Sequence, residues 1–571
     1  MSKIKLLNNQ GDEVTIEHSD TASAQGNSVV NIKDITKQVD TIADLKALDG
    51  SHKLVYATGY HTKGDGAFGS HFFEWDATSI EADNGGTIIK LDNVDTGRYK
   101  LKYEGSVNVK WFGAVGDGVT DDTVAIQNAI NYLTSGGVLK FPVGEYIHSG
   151  ISFASNSRYI ELIGESGISF APDSNGVKLI NSSTTSNHFD LDNCFGISFK
   201  NLFFSNKSTP SSGTVINSVS QDGGSAYIEV SNCRMENIYN GILLDGTSNS
   251  MVSDVTITGT LSGTYGIQII GNKKRIDQIR LEKIIIDTGV DAGSSTFYGV
   301  TIGTDSHTIW LKEVSALHCY HGFYVGGNTA PEFIRFNGAE SENANLDGFL
   351  IEQCNHLWMD SIYATVNNTN GISFSNKFNS TCLVSNADIR GNKEYGVLIN
   401  GSSGIIISNS RIGGNSVKSS NNYSGITVGA DVSDVTFTNN RIGGDINCTG
   451  NGNQKYGILI NTGSSDNYII TNNDLSGNAT NSISDGGSGI NKKIKSNIGW
   501  QNGNGSLTVT SGNTTGVFAH NLGVTPSIAI ATPNGNLGGL SYWVTRNDTQ
   551  VIVNLSDKPS SDITFDVITF M

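Results

Sequence analysis

The chain has 571 residues, with 54 Asp and Glu against 37 Lys and Arg, and only 16% of its residues are charged. The net charge of −17 argues against a nucleic-acid partner, because that affinity comes mostly from cationic contacts to phosphates; an anionic polysaccharide stays open, since a local basic patch can hold a carboxylate. The 68 glycines beside 7 prolines exceed the usual ~7% glycine and suggest tight turns between short strands rather than long solvated helices. Six cysteines at 194, 233, 319, 354, 382 and 448 form no CxxC pair and are read as small buried apolar residues. The first ten residues lack an apolar signal-peptide core and no later apolar run is long, so neither a Sec signal nor a membrane span is expected.

In chain order, residues 1–36 are polar and mixed, with too few apolar side chains for a core, and are read as an N-terminal attachment segment. Residues 37–105 suggest a small α+β module. Ile42-Ala-Asp-Leu-Lys-Ala-Leu48 fits a short helix, and runs at 54–56, 71–75 and 87–91 fit strands. Over 120–134 the pattern predicts one amphipathic helix. Thr120 is the expected N-cap, Asp121 and Asp122 place negative charge at the positive end of the dipole, and Ile126, Ala129, Ile130 and Leu133 form one apolar face. Such a helix would cover the open β edge of a solenoid. Asp117, Asp121 and Asp122 are therefore read as turn-formers and caps, not metal ligands.

A phrase of the type Tyr/Asn/Asp-Gly-Ile/Val/Phe then recurs at Gly241, Gly266, Gly299, Gly322, Gly348, Gly371, Gly396, Gly425 and Gly457, at intervals of 23 to 33 residues. A β-type repeat of this period predicts a mainly β solenoid, assigned to 106–500, with coils stacked ~4.8 Å apart. Asparagines at matching turns, as in Ser385-Asn-Ala-Asp-Ile389 and Ser408-Asn-Ser-Arg-Ile412, suit hydrogen-bonded ladders. Longer insertions at 205–224, 287–298, 414–424 and 445–456 flank short coils, which places a groove floor at roughly 300–396. Residues 501–571 read as a separate all-β sandwich, for carbohydrate binding or trimerisation.

The motif Trp111-Phe-Gly-Ala-Val-Gly-Asp-Gly-Val-Thr-Asp-Asp-Thr123 resembles the solenoid-opening motif of the pectate-lyase-like right-handed parallel β-helix superfamily. Thr41-Ile-Ala-Asp-Leu-Lys-Ala-Leu48 and Glu81-Ala-Asp-Asn-Gly-Gly-Thr-Ile-Ile89 resemble the small N-terminal domain of bacteriophage tailspike depolymerases, and His520-Asn-Leu-Gly-Val-Thr-Pro526 with Tyr542-Trp543 is similar to a β-sandwich cap on many such spikes. The resemblance implies a homotrimer on the virion tail, made in the host cytoplasm and acting at the host surface. Its partner would be a bacterial capsular or O-antigen polysaccharide, cleaved by glycosidic hydrolysis or β-elimination, with hydrolysis taken first. The short N-terminal segment departs from these spikes by lacking a large particle-binding domain, so docking through another phage tail protein is expected. The shared motifs contain no catalytic residues, and none is carried over. A non-catalytic receptor-binding spike and a secreted pectinase-like enzyme are the alternatives.

Hydrolysis needs an acid and a carboxylate separated by ~5–5.5 Å for retention or ~6.5–9.5 Å for inversion; elimination needs a base and a cation beside a uronate. Glu340 and Glu342 bracket one serine and are the best carboxylate pair. Glu340, Tyr363 and Asp388 each lie eight residues before a coil glycine, which would stack them in one row. Asp360 and His321 are further catalytic candidates, with His318 near His321. Trp310, Tyr320, Arg335 and Trp358 suit sugar stacking and carboxylate binding. No cofactor or metal is expected; His318, Cys319 and His321 lack a second ligand pair at zinc spacing.

Overall fold

The computed structural model describes residues 3–7, 13–17, 36–165, 176–220, 224–261, 263–289, 296–375, 379–443, 453–499, 504–520 and 525–570. Contacts divide the chain into two compact units, 1–114 and 115–571. In the first unit, Lys3–Leu7 and Glu13–Glu17 pair antiparallel, within the segment expected to serve for attachment. A five-stranded sheet follows, ordered Thr36–Val39, Leu54–Ala57, Phe72–Asp76, Arg98–Lys102 and Ile88–Ile89. The expected short helix is Ile42–Lys46, held by a capping box between Thr41 and Asp44. Residues 106–114, read as the start of the solenoid, cluster with this unit.

In the second unit the amphipathic helix is Thr123–Tyr132, shorter than 120–134, and its N-cap is Asp122 rather than Thr120. Asp117 accepts hydrogen bonds from the Val119 and Thr120 amides and from the Thr120 hydroxyl. That ties Thr120 into an extended segment, Asp117–Asp121. The Asp122 carboxylate turns back to the Val115 and Gly116 amides at 2.6 and 3.1 Å. The expected apolar face of Ile126, Ala129, Ile130 and Leu133 is buried.

Parallel stacking begins with Asp117–Asp121 on Gly144–His148 and continues with Gly137–Phe141 on Ile160–Gly164, well before the glycine phrase becomes regular. Coils from Glu332 to Gly443 contribute three strands, for example Glu332–Asn337, Glu340–Glu342 and Phe349–Ile351, which we name the first, second and third faces. In the coils just before, one long strand such as Ser306–Leu317 spans the first two faces. The third face is a sheet of thirteen strands among the described residues. The proposed insertion at 205–224 contains one of them, Thr214–Val219. Residues 290–295 and 444–452, within two other proposed insertions, lie outside the described residues.

Inward positions stack like with like. Ile334, Leu357, Cys382, Ile405, Val435 and Tyr468 are successive register partners on the first face, and all are fully buried. Each such burial stabilises by ~1.5–3 kcal/mol. Cys194, Cys233, Cys319, Cys354 and Cys382 are likewise free and buried, while Cys448 lies outside the described residues. The coil glycines are dictated by close approach: a Cβ on Gly371 would lie 2.5 Å from Ile389 Cγ2 and 2.7 Å from the Gly396 carbonyl. Asparagine ladders also form. Asn367, Asn392, Asn415, Gln454 and Asn478 donate amide to amide, each to the next, at 2.9 to 3.0 Å.

The bend between first and second faces falls on a left-handed residue in coil after coil, including Gly338, Ser361, Asn386, Asn409 and Asn439. Asparagine tolerates that region better than most residues. This explains the Ser-Asn-Ala/Ser-Asp/Arg-Ile phrase.

The C-terminal segment forms two three-stranded antiparallel sheets. One is ordered Gly505–Val509, Ile563–Phe570, Ile528–Pro533 and the other Thr515–Ala519, Gln550–Leu555, Tyr542–Arg546. Val509, Val551, Val553, Phe565 and Val567 fill its core.

Candidate functional site

The nine residues singled out from sequence lie on different faces of the coil. On the second face, Glu340 and Glu342 point outward around the fully buried Ser341. Ser315, Glu340, Tyr363, Asp388, Arg411 and Arg441 are successive register partners, so the row expected from glycine counting exists and includes Asp388. Glu340 accepts a 2.9 Å hydrogen bond from the Ser315 hydroxyl, and Asp388 pairs with the Arg390 guanidinium. Tyr363 is 48% exposed. Two positions along a strand are ~6.8 Å apart, within the spacing for inversion. The surface is open, and Glu340 and Glu342 are only half-buried.

Trp310, Arg335 and Trp358 are register partners on the first face, turned away from Glu340 by the bend at Gly338. The Arg335 guanidinium carbon lies 4.8 Å from the Trp358 ring centroid, and Arg280 sits 5.2 Å over Trp310. One face of each indole is therefore engaged by a guanidinium within the protein. Asp360 ends a first-face strand. It accepts from Ser385 Oγ and Asn386 Nδ2, both at 2.7 Å, and from Ser361 Oγ at 3.0 Å. Those donors, Ser385 first, hold its carboxyl below the ordinary range, which suits a structural acceptor.

Tyr320 and His321 occupy the corner leading into the third face. His321 is buried, stacks on Tyr298 with ring centroids 5.4 Å apart, and has Nδ1 4.0 Å from Asp347. Burial pushes its pKa down. Asp347 accepts from Thr369 Oγ1, the Asn370 amide and Asn370 Nδ2. His318 sits instead on a left-handed bend and bonds Asp287 at 2.9 Å. The sequence does not bring these histidines together as a base cluster.

An open cleft of about 450 Å³ lies on the third face. Gln268, Thr301, Tyr324 and Leu350, successive register partners, form its floor. Tyr265, Tyr298, Asn272, Thr304 and Glu352 also line it. The Tyr324 phenol donates a 2.7 Å hydrogen bond to Glu352 Oε2. Burial, reinforced by that carboxylate, pushes the Tyr324 phenol well above its ordinary range, so it stays protonated and donating at neutral pH. Tyr298 packs edge-on against it, with centroids 6.1 Å apart. The proposed groove floor at 300–396 overlaps this cleft only in part, because Tyr265, Gln268 and Asn272 lie upstream. Counting toward the residues before each coil glycine missed Tyr324 and Glu352. Counting forward finds them, two and four residues past Gly322 and Gly348 respectively.

Comparison with known proteins falls in two blocks. Residues 106–341 match the family model for rhamnogalacturonase A/epimerase, pectate lyase-like. Those residues are similar to that family, and the fold they belong to is a parallel β-solenoid. Residues 38–104, which precede the solenoid in sequence, match the model for the phage tail protein small four-stranded beta-sheet domain. Mannuronan C5-epimerase AlgE5 of Azotobacter vinelandii is 60% identical over 45 residues, 8% of this chain and 4% of that protein; the chain thus spans a small fraction of the curated relatives it matches. Among solved structures, tailspike protein 2 of Escherichia coli O157:H7 bacteriophage CAB120 is 14% identical, with 94% of this chain and 77% of that chain covered at a TM-score of 0.47. Tailspike protein gp49 of Acinetobacter baumannii bacteriophage Fri1, a capsular polysaccharide depolymerase, is also 14% identical, covering 93% and 98% at 0.41.

Proposed function

We propose that this protein is a phage tailspike that binds and depolymerises a bacterial surface polysaccharide, with the sugar chain held in the third-face cleft. One observation carries the site: the cleft combines three tyrosines, amide and hydroxyl side chains, and a carboxylate held by a neighbouring phenol. Concave sites of this kind, apolar-walled with a few convergent polar groups, are the usual home of a ligand. The phage-tail module supports a location on the virion tail and docking of the N-terminus to another tail protein.

In this proposal Glu352 is the proton-transferring carboxylate and Tyr324 fixes its orientation. The described lining contains no Lys or Arg for the enediolate of an elimination and one carboxylate, Glu352, where hydrolysis uses two. Hydrolysis is kept first on the resemblance to tailspikes, with the second carboxyl supplied from outside this lining. The second-face pair Glu340 and Glu342, with Tyr363 in the adjoining coil, is the second reading, favoured by its spacing and by Arg390 and Arg411 nearby. In that reading Trp310, Arg335 and Trp358 would guide the chain on the adjoining face, and Asp360 and His321 would support the fold.

The resemblance to tailspikes extends the proposal to a homotrimer. Ile530 and Ile568 are cross-strand partners on the C-terminal sheet and are 47% and 44% exposed, an apolar outer face that self-association would cover. Incubating the protein with purified surface polysaccharide from a susceptible host should yield shorter chains without the ultraviolet absorbance of an unsaturated uronic acid. Binding with no shortening would make it a receptor-binding spike instead, and strong absorbance would make it a lyase.

A further inference from the structure

The third-face cleft is asymmetric in charge. Glu352 is the sole ionisable acid or base other than tyrosine among its described lining residues. The nearest basic run, Lys273-Lys274-Arg275, follows Asn272 in sequence. Lys274, however, turns toward the preceding coils: its amino group lies where a Cβ on Gly224 would meet it at 2.8 Å. Asp245 accepts from the Lys273 amide on that same side. No cation among the lining residues therefore answers Glu352.

Packing around that carboxylate depends on glycines in register with it. The amides of Gly303, Gly326 and Glu352 continue the parallel ladder, donating to Ile269, Ile302 and Val325. Two glycines thus occupy, in the two preceding coils, the position that Glu352 fills. A Cβ on Gly326 would lie 2.8 Å from the Tyr324 hydroxyl and 2.9 Å from Glu352 Cβ, and one on Gly303 would lie 2.6 Å from Ile270 Cγ2. Neither glycine is at a positive φ, so backbone conformation does not account for them. Close approach accounts for them: the place of a Cβ is taken at Gly326 by the Tyr324 hydroxyl and Glu352 Cβ and at Gly303 by Ile270, so the glycines let the Tyr324–Glu352 pair lie tight against the cleft floor.

We propose that the cleft beside the Tyr324–Glu352 pair is a subsite for an uncharged sugar residue, hexose or N-acetylhexosamine, whose hydroxyl groups bond Glu352 and the surrounding amides, and that Gly303 and Gly326 hold that pair in place. The inference rests on the cleft being the saccharide site. A carboxylate without a cation repels a uronate or sialic acid at close range, while it accepts hydrogen bonds from sugar hydroxyls. Tyr298 and Tyr324 supply rigid amphipathic surface for a sugar ring.

The test is a microbial glycan array carrying neutral, N-acetylhexosamine and uronate oligosaccharides. It is probed with wild type, Gly326→Ala and Glu352→Gln, with hits repeated by calorimetry and folding checked by circular dichroism. Wild type should take neutral or N-acetylhexosamine glycans, and Gly326→Ala should weaken them at least ~10-fold by displacing the Tyr324–Glu352 pair. Glu352→Gln keeps the shape and removes the charge, so it should improve uronate binding at least ~10-fold. Preference for uronates in wild type, lost in Gly326→Ala, would overturn the subsite inference and leave the cleft as the saccharide site. Glycan binding unchanged in both variants, or absent in wild type, would remove the saccharide role of the cleft and this inference with it.

Discussion

Tyr324 and Glu352 lie on adjacent coils, and the tyrosine phenol donates a 2.7 Å hydrogen bond to the glutamate carboxylate. A solenoid makes such a pair easily, since stacking places side chains of neighbouring coils ~4.8 Å apart. The phenol fixes one carboxylate oxygen and leaves the group facing a cleft.

Replacing Tyr324 by phenylalanine keeps the ring packed on Tyr298 and deletes only that donor. A charge-assisted hydrogen bond contributes ~1.5–3 kcal/mol. Tyr324→Phe should therefore lower kcat/KM on the host polysaccharide about tenfold or more. Stability should fall by a comparable amount, so kinetics are compared at a temperature where circular dichroism shows both proteins folded. Wild-type kinetics in this variant would remove Tyr324 from the site.

The asparagine ladder predicts a stability effect far from the cleft. Asn392 accepts from the Asn367 amide and side chain and donates to Ala364 and Asn415, all within the buried interior. Asn392→Ala would leave several of these groups unpaired, at ~1–3 kcal/mol each. Urea unfolding should show a midpoint well below wild type, and an unchanged midpoint would mean the ladder contributes no net stability.

Acid sensitivity should trace to a buried histidine pair. His148 and His188 pack with ring centroids 5.0 Å apart, and burial lowers the pKa of both, that of His188 from 6.5 to about 4. Between those values the unfolded chain binds protons that the folded chain refuses. Stability is therefore complete above about pH 6.5 and declines as pH falls toward 4. His188→Gln should flatten that decline in thermal melts; an identical slope would place the acid sensitivity elsewhere.

The apolar face at Ile530 and Ile568 predicts an oligomerisation effect. Ile530→Asp combined with Ile568→Asp should shift sedimentation from trimer toward monomer. A wild-type trimer in the double variant would place the contacts on other surfaces.

The coil repeat was legible because coil glycines are forced by close approach, as at Gly371 and Gly396, and because stacked inward positions demand apolar residues. The row Glu340, Tyr363, Asp388 was legible for the same reason. The helix start was displaced because the Asp117 carboxylate captures Thr120, a local hydrogen bond that periodicity does not encode. The division of candidates among faces was not legible either. A single left-handed residue, Gly338 or Ser361, turns the chain and separates Asp360 from Tyr363 although they are three apart in sequence. Glu352 and Tyr324 carry no motif; only register across three coils brings them beside Gly303 and Gly326.

The most direct test of polysaccharide cleavage in the third-face cleft compares Glu352→Gln with the double variant Glu340→Gln/Glu342→Gln. The readout is size-exclusion analysis of purified host polysaccharide, with circular dichroism and sedimentation matched to wild type. The account predicts that Glu352→Gln loses turnover at least ~100-fold, as removal of a proton-transferring group should, while the double variant stays within about threefold of wild type. Full turnover in Glu352→Gln together with its loss in the double variant would contradict the account and move the chemistry to the second face.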